Sequence, residues 1–189
     1  TPYAVKIDTS GNVFVLCNVS DATANVVLLK YNSSGTIQWQ RKVSSANAVR
    51  QCLQVASDGS VYVYVRKFSA PAEAALLKYN SSGTLQWQRK WANANANSPI
   101  GFTIDSSGNL YVSFGYGPAG NNTLQLRKLD SFGAQTASRR MENQSWNSGA
   151  GALHFSGSDV FVAGGIGFVL GACIYRLNSS LTYQASRVI

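Results

Sequence analysis

Leu28 to Lys42 reads LLKYNSSGTIQWQRK, and Leu76 to Lys90 reads LLKYNSSGTLQWQRK. Only Ile37 and Leu85 differ across the fifteen positions, at an offset of 48 residues. Two looser copies follow, LRKLDSFGAQTASRRM from Leu126 to Met141 and IYRLNSSLTYQASRVI from Ile174 to Ile189. A second marker keeps step with the first: DTSGNVFV from Asp8, ASDGSVYV from Ala56, DSSGNLYV from Asp105 and GSDVFV from Gly157. The chain therefore divides into four units, about 1–43, 44–91, 92–141 and 142–189. A period of this length marks an architecture stacked from copies of one supersecondary unit.

Each unit reads as four short strands, a to d. In the second unit these are Cys52–Ala56, Val61–Val65, Ala74–Tyr79 and Leu85–Trp91. Asp58-Gly59 turns a into b, and Asn80-Ser81-Ser82-Gly83 turns c into d, with glycine supplying the positive φ that tight hairpins need. Strand b is apolar on both faces, as in Val61-Tyr62-Val63-Tyr64-Val65, so sheets must cover it on both sides. Radially stacked four-stranded blades do this, and the expected fold is an all-β propeller of four antiparallel blades forming one domain, 1–189. A two-sheet sandwich and a β-solenoid are the competing architectures.

Strand a is expected innermost, with Lys6, Gln54, Thr103 and His154 in one row towards a central channel. Their apolar neighbours Val5/Ile7, Leu53/Val55, Phe102/Ile104 and Leu153/Phe155 pack beside them. The four units can form a small closed ring, half of a larger one, or an excerpt of a longer chain. The first residue is Thr, and no basic-then-apolar signal segment follows it, so a processed product or a piece of something longer is expected.

Charged residues make up 13% of the chain and apolar residues 45%, which excludes disorder driven by charge. No run of 18 apolar residues exists to span a membrane as a helix. Cys17, Cys52 and Cys173 lie in apolar surroundings and read as small buried hydrophobes rather than as a disulfide framework.

The repeat resembles a bacterial β-propeller repeat family in which an SGN-(I/V)-YV segment precedes LLK-(Y/L)-(N/D)-SSG-x-x-x-W. It is also similar to blades in large virion proteins of marine bacteriophages, in tail or fibre components. The third and fourth units depart from the pattern, with Ala137 and Ala185 in place of tryptophan. The resemblance implies a propeller fold and a structural or adhesive role in a virion.

The residues themselves offer little for catalysis. His154 is the only histidine, so a His-based zinc site or a triad has no material. Asp8, Asp58 and Asp105 occupy what reads as one turn position in successive units, where an Asp caps its own turn. The loop Asp105 to Asn109 offers one carboxylate, too few for calcium. Gly165-Ile166-Gly167 lacks the third glycine of a dinucleotide site. Sequons at Asn32, Asn80 and Asn178 fall in the repeated c–d turn and are explained by turn geometry. No catalytic residue, metal ligand or cofactor is expected.

Sixteen Lys and Arg against eight Asp and Glu give a net charge of +8. Lys30, Lys78, Lys128 and Arg176 align on strand c, and Arg41-Lys42, Arg89-Lys90, Arg139-Arg140 and Arg187 on strand d. Such rows either blunt an exposed sheet edge or attract an anionic surface, an anionic glycan before nucleic acid. Trp39 and Trp87, recurring in register, read as packing between blades.

The a–b and c–d turns are short and nearly identical, and they emerge on one face of the disc. The b–c connections (18–25, 67–73, 115–123, 164–171) and d–a connections (44–48, 92–98, 142–149) emerge on the other and differ in every unit. Asparagines beside aromatic rings there suit sugar or protein binding. The candidate binding residues are Phe68, Tyr116, Asn121, Asn122, Asn93, Asn95, Asn97, Asn143, Trp146 and Asn147. Trp146, the only Trp outside strand d, can stack on a sugar face, plug the channel or pack between the last two blades.

Function is therefore expected to be a non-enzymatic structural and adhesive module of a virion. The alternatives are a glycan- or protein-binding propeller of a secreted or surface bacterial protein, and a polysaccharide-degrading enzyme. Expected partners are other virion or surface proteins, a further copy or a longer parent chain, and an anionic glycan.

Overall fold

The turns set the register of the sheets. Asn32 Oδ1 accepts the backbone N–H groups of Ser34 (3.2 Å) and Thr36 (2.8 Å). The computed structural model repeats this arrangement at Asn80, Asp130 and Asn178. Asp8 and Asp105 build the a–b turns in the same way, each accepting two backbone N–H groups. Burial opposes the charge on Asp8, but hydrogen bonds from Asn12 and Ser10 outweigh it and hold the carboxyl below its ordinary range. Asp58 departs from the expectation of a shared turn position. Ala56 takes the place equivalent to Asp8, and Asp58, two residues on, accepts from the backbone N–H and hydroxyl of Ser60 (2.8 and 2.9 Å).

The structure describes residues 1–20, 24–68, 73–92, 99–116, 123–141, 152–165 and 172–188. The first sheet is β1 (Pro2–Ile7), β2 (Val13–Ser20), β3 (Ala24–Tyr31) and β4 (Ile37–Ser44). The second is β5 (Ala46–Val55), β6 (Val61–Lys67), β7 (Glu73–Tyr79) and β8 (Leu85–Ala92). The third is β9 (Pro99–Ile104), β10 (Leu110–Tyr116), β11 (Thr123–Leu129) and β12 (Gln135–Met141). The fourth is β13 (Ala152–Ser156), β14 (Asp159–Gly165), β15 (Ala172–Asn178) and β16 (Tyr183–Val188). Each sheet is antiparallel, with its strands in chain order.

β5 is longer than the predicted Cys52–Ala56 and absorbs the expected 44–48 connection. A bulge between Ala48 and Leu53 lets it continue, and the buried Ala46 and Ala48 anchor its start beside Val43. Asn18 Oδ1 accepts the N–H of Ala48 (2.8 Å), so the first sheet holds that extension.

Three core layers lie between consecutive sheets. Phe14, Leu16, Val26 and Leu28 meet Leu53, Val61, Val63 and Leu77 between the first two. Tyr62, Tyr64 and Leu76 meet Phe102, Leu110 and Val112 in the next. Tyr111, Leu124 and Leu126 meet Leu153, Val160 and Val162 in the last. Strand b is thus covered on both faces in the second and third sheets, as its sequence predicts. The inner strands pack in succession, β1 on β5, β5 on β9 and β9 on β13.

The first sheet departs from this pattern. Val5 and Ile7 are 61% and 66% exposed, whereas Leu53, Phe102 and Leu153, which align with Val5, are buried. Those residues face the preceding sheet, and among the described residues no sheet precedes the first. The expected polar channel row is uneven as well: Lys6 and His154 are exposed, Thr103 is buried, and Gln54 donates to the Phe102 carbonyl (3.4 Å). Cys52 is buried and Cys17 only partly so, and Cys173's side chain lies outside the described set.

A repeated interlock joins neighbouring sheets. Trp39 Nε1 and Lys30 Nζ donate to the Ser81 carbonyl (3.1 and 3.0 Å), and Arg41 Nε donates to that of Gly83. One sheet on, Trp87 and Lys78 donate to Ser131 (both 3.3 Å) and Arg89 Nε to Gly133 (2.6 Å). Each lysine also sits over the strand-b ring of its own sheet, Phe14 or Tyr62, at 5.3 Å. These basic residues are therefore inter-sheet donors rather than edge guards. Arg176, last in the strand-c row, pairs instead with Asp159 (2.7 Å).

The interlock is also a fit of sizes. A Cβ on Gly83 would lie 2.7 Å from Trp39, and one on Gly133 would lie 3.1 Å from Trp87. At the third interface the tryptophan is replaced by Ala137 and the turn glycine by Leu181, which is 2% exposed and packs in the cluster that includes Ala137. Leu181 holds φ 63°, a left-handed conformation that costs a non-glycine residue about 1–2 kcal/mol. Burying the leucine returns roughly 1.5–3 kcal/mol.

Two expectations follow. Gly35→Ala, with φ 81° and open space above it, should lose only the conformational share, about 1–2 kcal/mol in urea unfolding. Gly83→Ala meets the Trp39 indole as well and should lose about 1–3 kcal/mol more; equal losses would show that the indole yields freely. Burial pushes the Cys52 thiol from 9.0 up to about 12. Because the unfolded thiol ionises first, stability should be full below pH 9 and decline towards 12, and Cys52→Ala should flatten that decline.

Candidate functional site

The connections at the far end of the sheets from the short turns are where the sequence places binding. Asn93, Asn95, Asn97, Asn121, Asn122, Asn143, Trp146 and Asn147 lie outside the described residues. Tyr116 ends β10, paired through its backbone with Thr123. Phe68 follows β6, is 48% exposed, and its N–H donates to the Ser45 carbonyl (2.8 Å), tying the b–c connection of the second sheet to the entry of β5.

The Arg66 guanidinium lies over the Phe68 ring at 5.9 Å. Across the strand end, Glu73 pairs in register with Lys67 and forms an ion pair with Lys90 at 3.5 Å. This end of the second sheet offers an exposed ring, a planar cation and a mixed-charge border. It does not offer two convergent acids. All six described carboxylates are engaged: Asp8, Asp58, Asp105 and Asp130 in turns, Asp159 with Arg176, and Glu73 with Lys90.

A second cation–aromatic group sits between the second and third sheets. Trp91 and Phe114 stack at 5.8 Å with 18° between their planes, and the Arg127 guanidinium lies 5.8 and 5.1 Å from the two rings. Tyr64 meets Trp91 and Phe102 edge-on and donates its hydroxyl to the Ser113 carbonyl (3.1 Å). Complete burial raises the Tyr64 phenol far above its ordinary range, and partial burial lowers the Arg127 guanidinium. The ε nitrogens of Arg66 and Arg127 are buried without a hydrogen-bond partner, which is uncommon in native folds, and the buried Glu73 Oε2 has the Lys90 ion pair in place of a hydrogen bond.

The sequence reading missed Trp91, Phe114 and Arg127, although the repeat could have found them. Arg127 stands where the first two units have Leu29 and Leu77, Trp91 where the first has Val43, and Phe114 where they have Cys17 and Val65. They are departures from an otherwise repeated core, gathered at one interface.

No family model and no curated protein sequence matches the chain. Solved structures do match in fold. An acylaminoacyl peptidase of Pyrococcus horikoshii aligns over 100% of this chain and 32% of its own length, with a TM-score of 0.63 and 8% identity. The β-propeller domain of the Trilobed protease from Pyrococcus furiosus, described as having an open velcro topology, aligns over 100% and 56%, with a TM-score of 0.62 and 9% identity. A neuraminidase-like protein of a little yellow-shouldered bat isolate from Guatemala aligns over 98% and 57%, with a TM-score of 0.61 and 12% identity. The fold is that of a β-propeller, in four antiparallel four-stranded blades, and the chain spans less than two thirds of the length of each of these three proteins.

If Arg127 is kept for binding rather than packing, restoring the repeat residue should cost little. Arg127→Leu should leave unfolding free energy unchanged or raise it, since replacing a partly buried charge by a hydrophobe is often neutral or stabilising. A loss above about 2 kcal/mol on calorimetry would make the guanidinium a structural group.

Proposed function

We propose that the chain is a non-enzymatic, adhesive β-propeller module of a virion, such as a bacteriophage tail or fibre component, whose variable-loop face engages an anionic glycan. The observation that carries this reading is the pairing of planar cations with accessible aromatic rings near that face, Arg66 with the exposed Phe68 and Arg127 with the half-buried Trp91, which the buried Phe114 backs. A ring covers the apolar face of a sugar while a guanidinium holds its carboxylate or sulfate through paired hydrogen bonds. The asparagines of the neighbouring connections would add amides for hydroxyl groups. The resemblance of the repeat to virion blades supports the virion assignment. The engagement of the described carboxylates in turns and ion pairs supports attachment without hydrolysis.

A glycan array containing neutral, sulfated and uronic-acid polysaccharides tests the reading. Binding should favour the anionic members and weaken with salt. Phe68→Ala and Trp146→Ala should each lower affinity by about tenfold, as the loss of an aromatic anchor does, with the melting temperature unchanged. Release of reducing ends from any member would replace the reading with an enzyme, and unaltered binding by both variants would move the site elsewhere. An antibody raised against the chain should label particles of the parent phage; labelling confined to host cell envelopes would favour a bacterial surface module.

A further inference from the structure

The outer face of the first sheet is built like an interface. Val5, Ile7, Val13, Val15, Cys17, Val27, Leu29 and Tyr31 align at an offset of 48 with Leu53, Val55, Val61, Val63, Val65, Ala75, Leu77 and Tyr79. In the second sheet this set lies against the first, with Val61, Val63 and Val65 at 0% exposure. On the first sheet the same positions are partly or fully exposed.

The turn above that face is equally prepared. Residues 32–35 read NSSG, identical to 80–83, and Gly35 holds φ 81° with nothing within 4 Å of where a Cβ would stand. Gly83, in the same conformation, is covered by Trp39. No described side chain donates to the carbonyls of Ser33, Ser34 or Gly35, although their counterparts at Ser81, Ser82 and Gly83 receive Lys30, Trp39 and Arg41.

The size pairing identifies what fits. Within the chain a glycine turn takes a tryptophan strand, and the leucine turn at Leu181 takes the Ala137 strand. The fourth sheet presents Ala185 and Arg187 on β16, the alanine type, so setting it on Gly35 would leave the volume of an indole unfilled. The two tryptophan-bearing strands, β4 and β8, are already engaged with the sheets that follow them.

We propose that the outer face of the first sheet docks a further blade of this repeat whose outermost strand carries Trp-x-Arg, and that the Gly35 turn selects it against a blade of the fourth type. The blade must come from outside these 189 residues or be duplicated within them for a test.

The test fuses a duplicate of residues 44–92 ahead of Thr1 through a Gly/Ser linker. Four fusions are compared: with and without Trp87→Ala in the duplicate, each with and without Gly35→Leu. In the unsubstituted fusion, amide exchange across β1 should slow by about tenfold or more relative to the unfused chain. Either single substitution should remove most of that protection, and the double should regain part of it, because alanine beneath a leucine turn is the pairing at Ala137 and Leu181. Additive effects, a fusion less stable than the unfused chain, or unprotected β1 amides would each overturn the proposal. Sedimentation of the unfused chain supplies the other arm. A dimer abolished by Ile7→Asp would make a second copy the occupant and overturn it too, whereas a monomer supports it.

Discussion

The carbonyl groups of a tight turn must be hydrogen-bonded by something, and here the neighbouring sheet supplies the donors. The NSSG turn points three carbonyls away from its own hairpin, and a lysine, a tryptophan and an arginine of the preceding sheet collect them. The donors reach that position with the lysine ammonium over a strand-b ring and the indole packed against the same ring, as Phe14 and Trp39 are at 6.0 Å. Polar satisfaction and apolar burial thus use the same three side chains. Each sheet is stable as the neighbour of another, and none is complete alone.

That dependence makes each interface a matched pair. The turn residue is glycine where an indole covers it and leucine where the indole is missing, so the loss of tryptophan in the third sheet is compensated on the fourth. Tyr111 reaches the same turn: its hydroxyl lies 3.2 Å from Asp105 Oδ2 and 3.3 Å from the Ser179 carbonyl, its one proton serving either acceptor, while Arg139 donates to the Leu181 carbonyl (3.4 Å). Burial, then the charge and hydrogen bond of Asp105, raise this phenol above its ordinary range, so it remains a donor. The interface between the second and third sheets is the exception. There Trp91, Phe114 and Arg127 replace aliphatic positions near the variable connections, and a charge enters a layer that is elsewhere apolar.

Repetition made most of the architecture legible in the sequence. A strand with two apolar faces can only be covered by sheets on both sides, so Val61 to Val65 predicted the stacking, and recurrence in register marked Trp39 and Trp87 as packing residues. What escaped was whatever the repeat does not encode. The bulge that lengthens β5 takes in residues 49–52, where β1 and β9 slip by a single residue, and the shared pattern does not reveal that larger excursion. The exposure of Val5 and Ile7 depends on what stands next to the first sheet, and the sequence of a sheet does not reveal its neighbour. At the candidate site, loop composition points to Phe68, which is exposed beside Arg66. Trp91 and Arg127 lie within strands and look like core until compared with their repeats.

The β5 bulge has a consequence for cooperativity. Stacked repeats that touch only their neighbours behave as a linear array, in which an end unit can open while the rest stays folded. Gln51, held at φ 49° on the bulge, breaks that rule. Its side-chain amide donates to the Leu153 carbonyl (3.2 Å) and accepts the Leu153 N–H (2.8 Å), as a peptide group of an adjacent strand would. This bond joins the second sheet to the fourth across 102 positions of chain, skipping the third. Opening the fourth sheet therefore also breaks a contact to the second, and these two non-adjacent sheets are coupled by one amide.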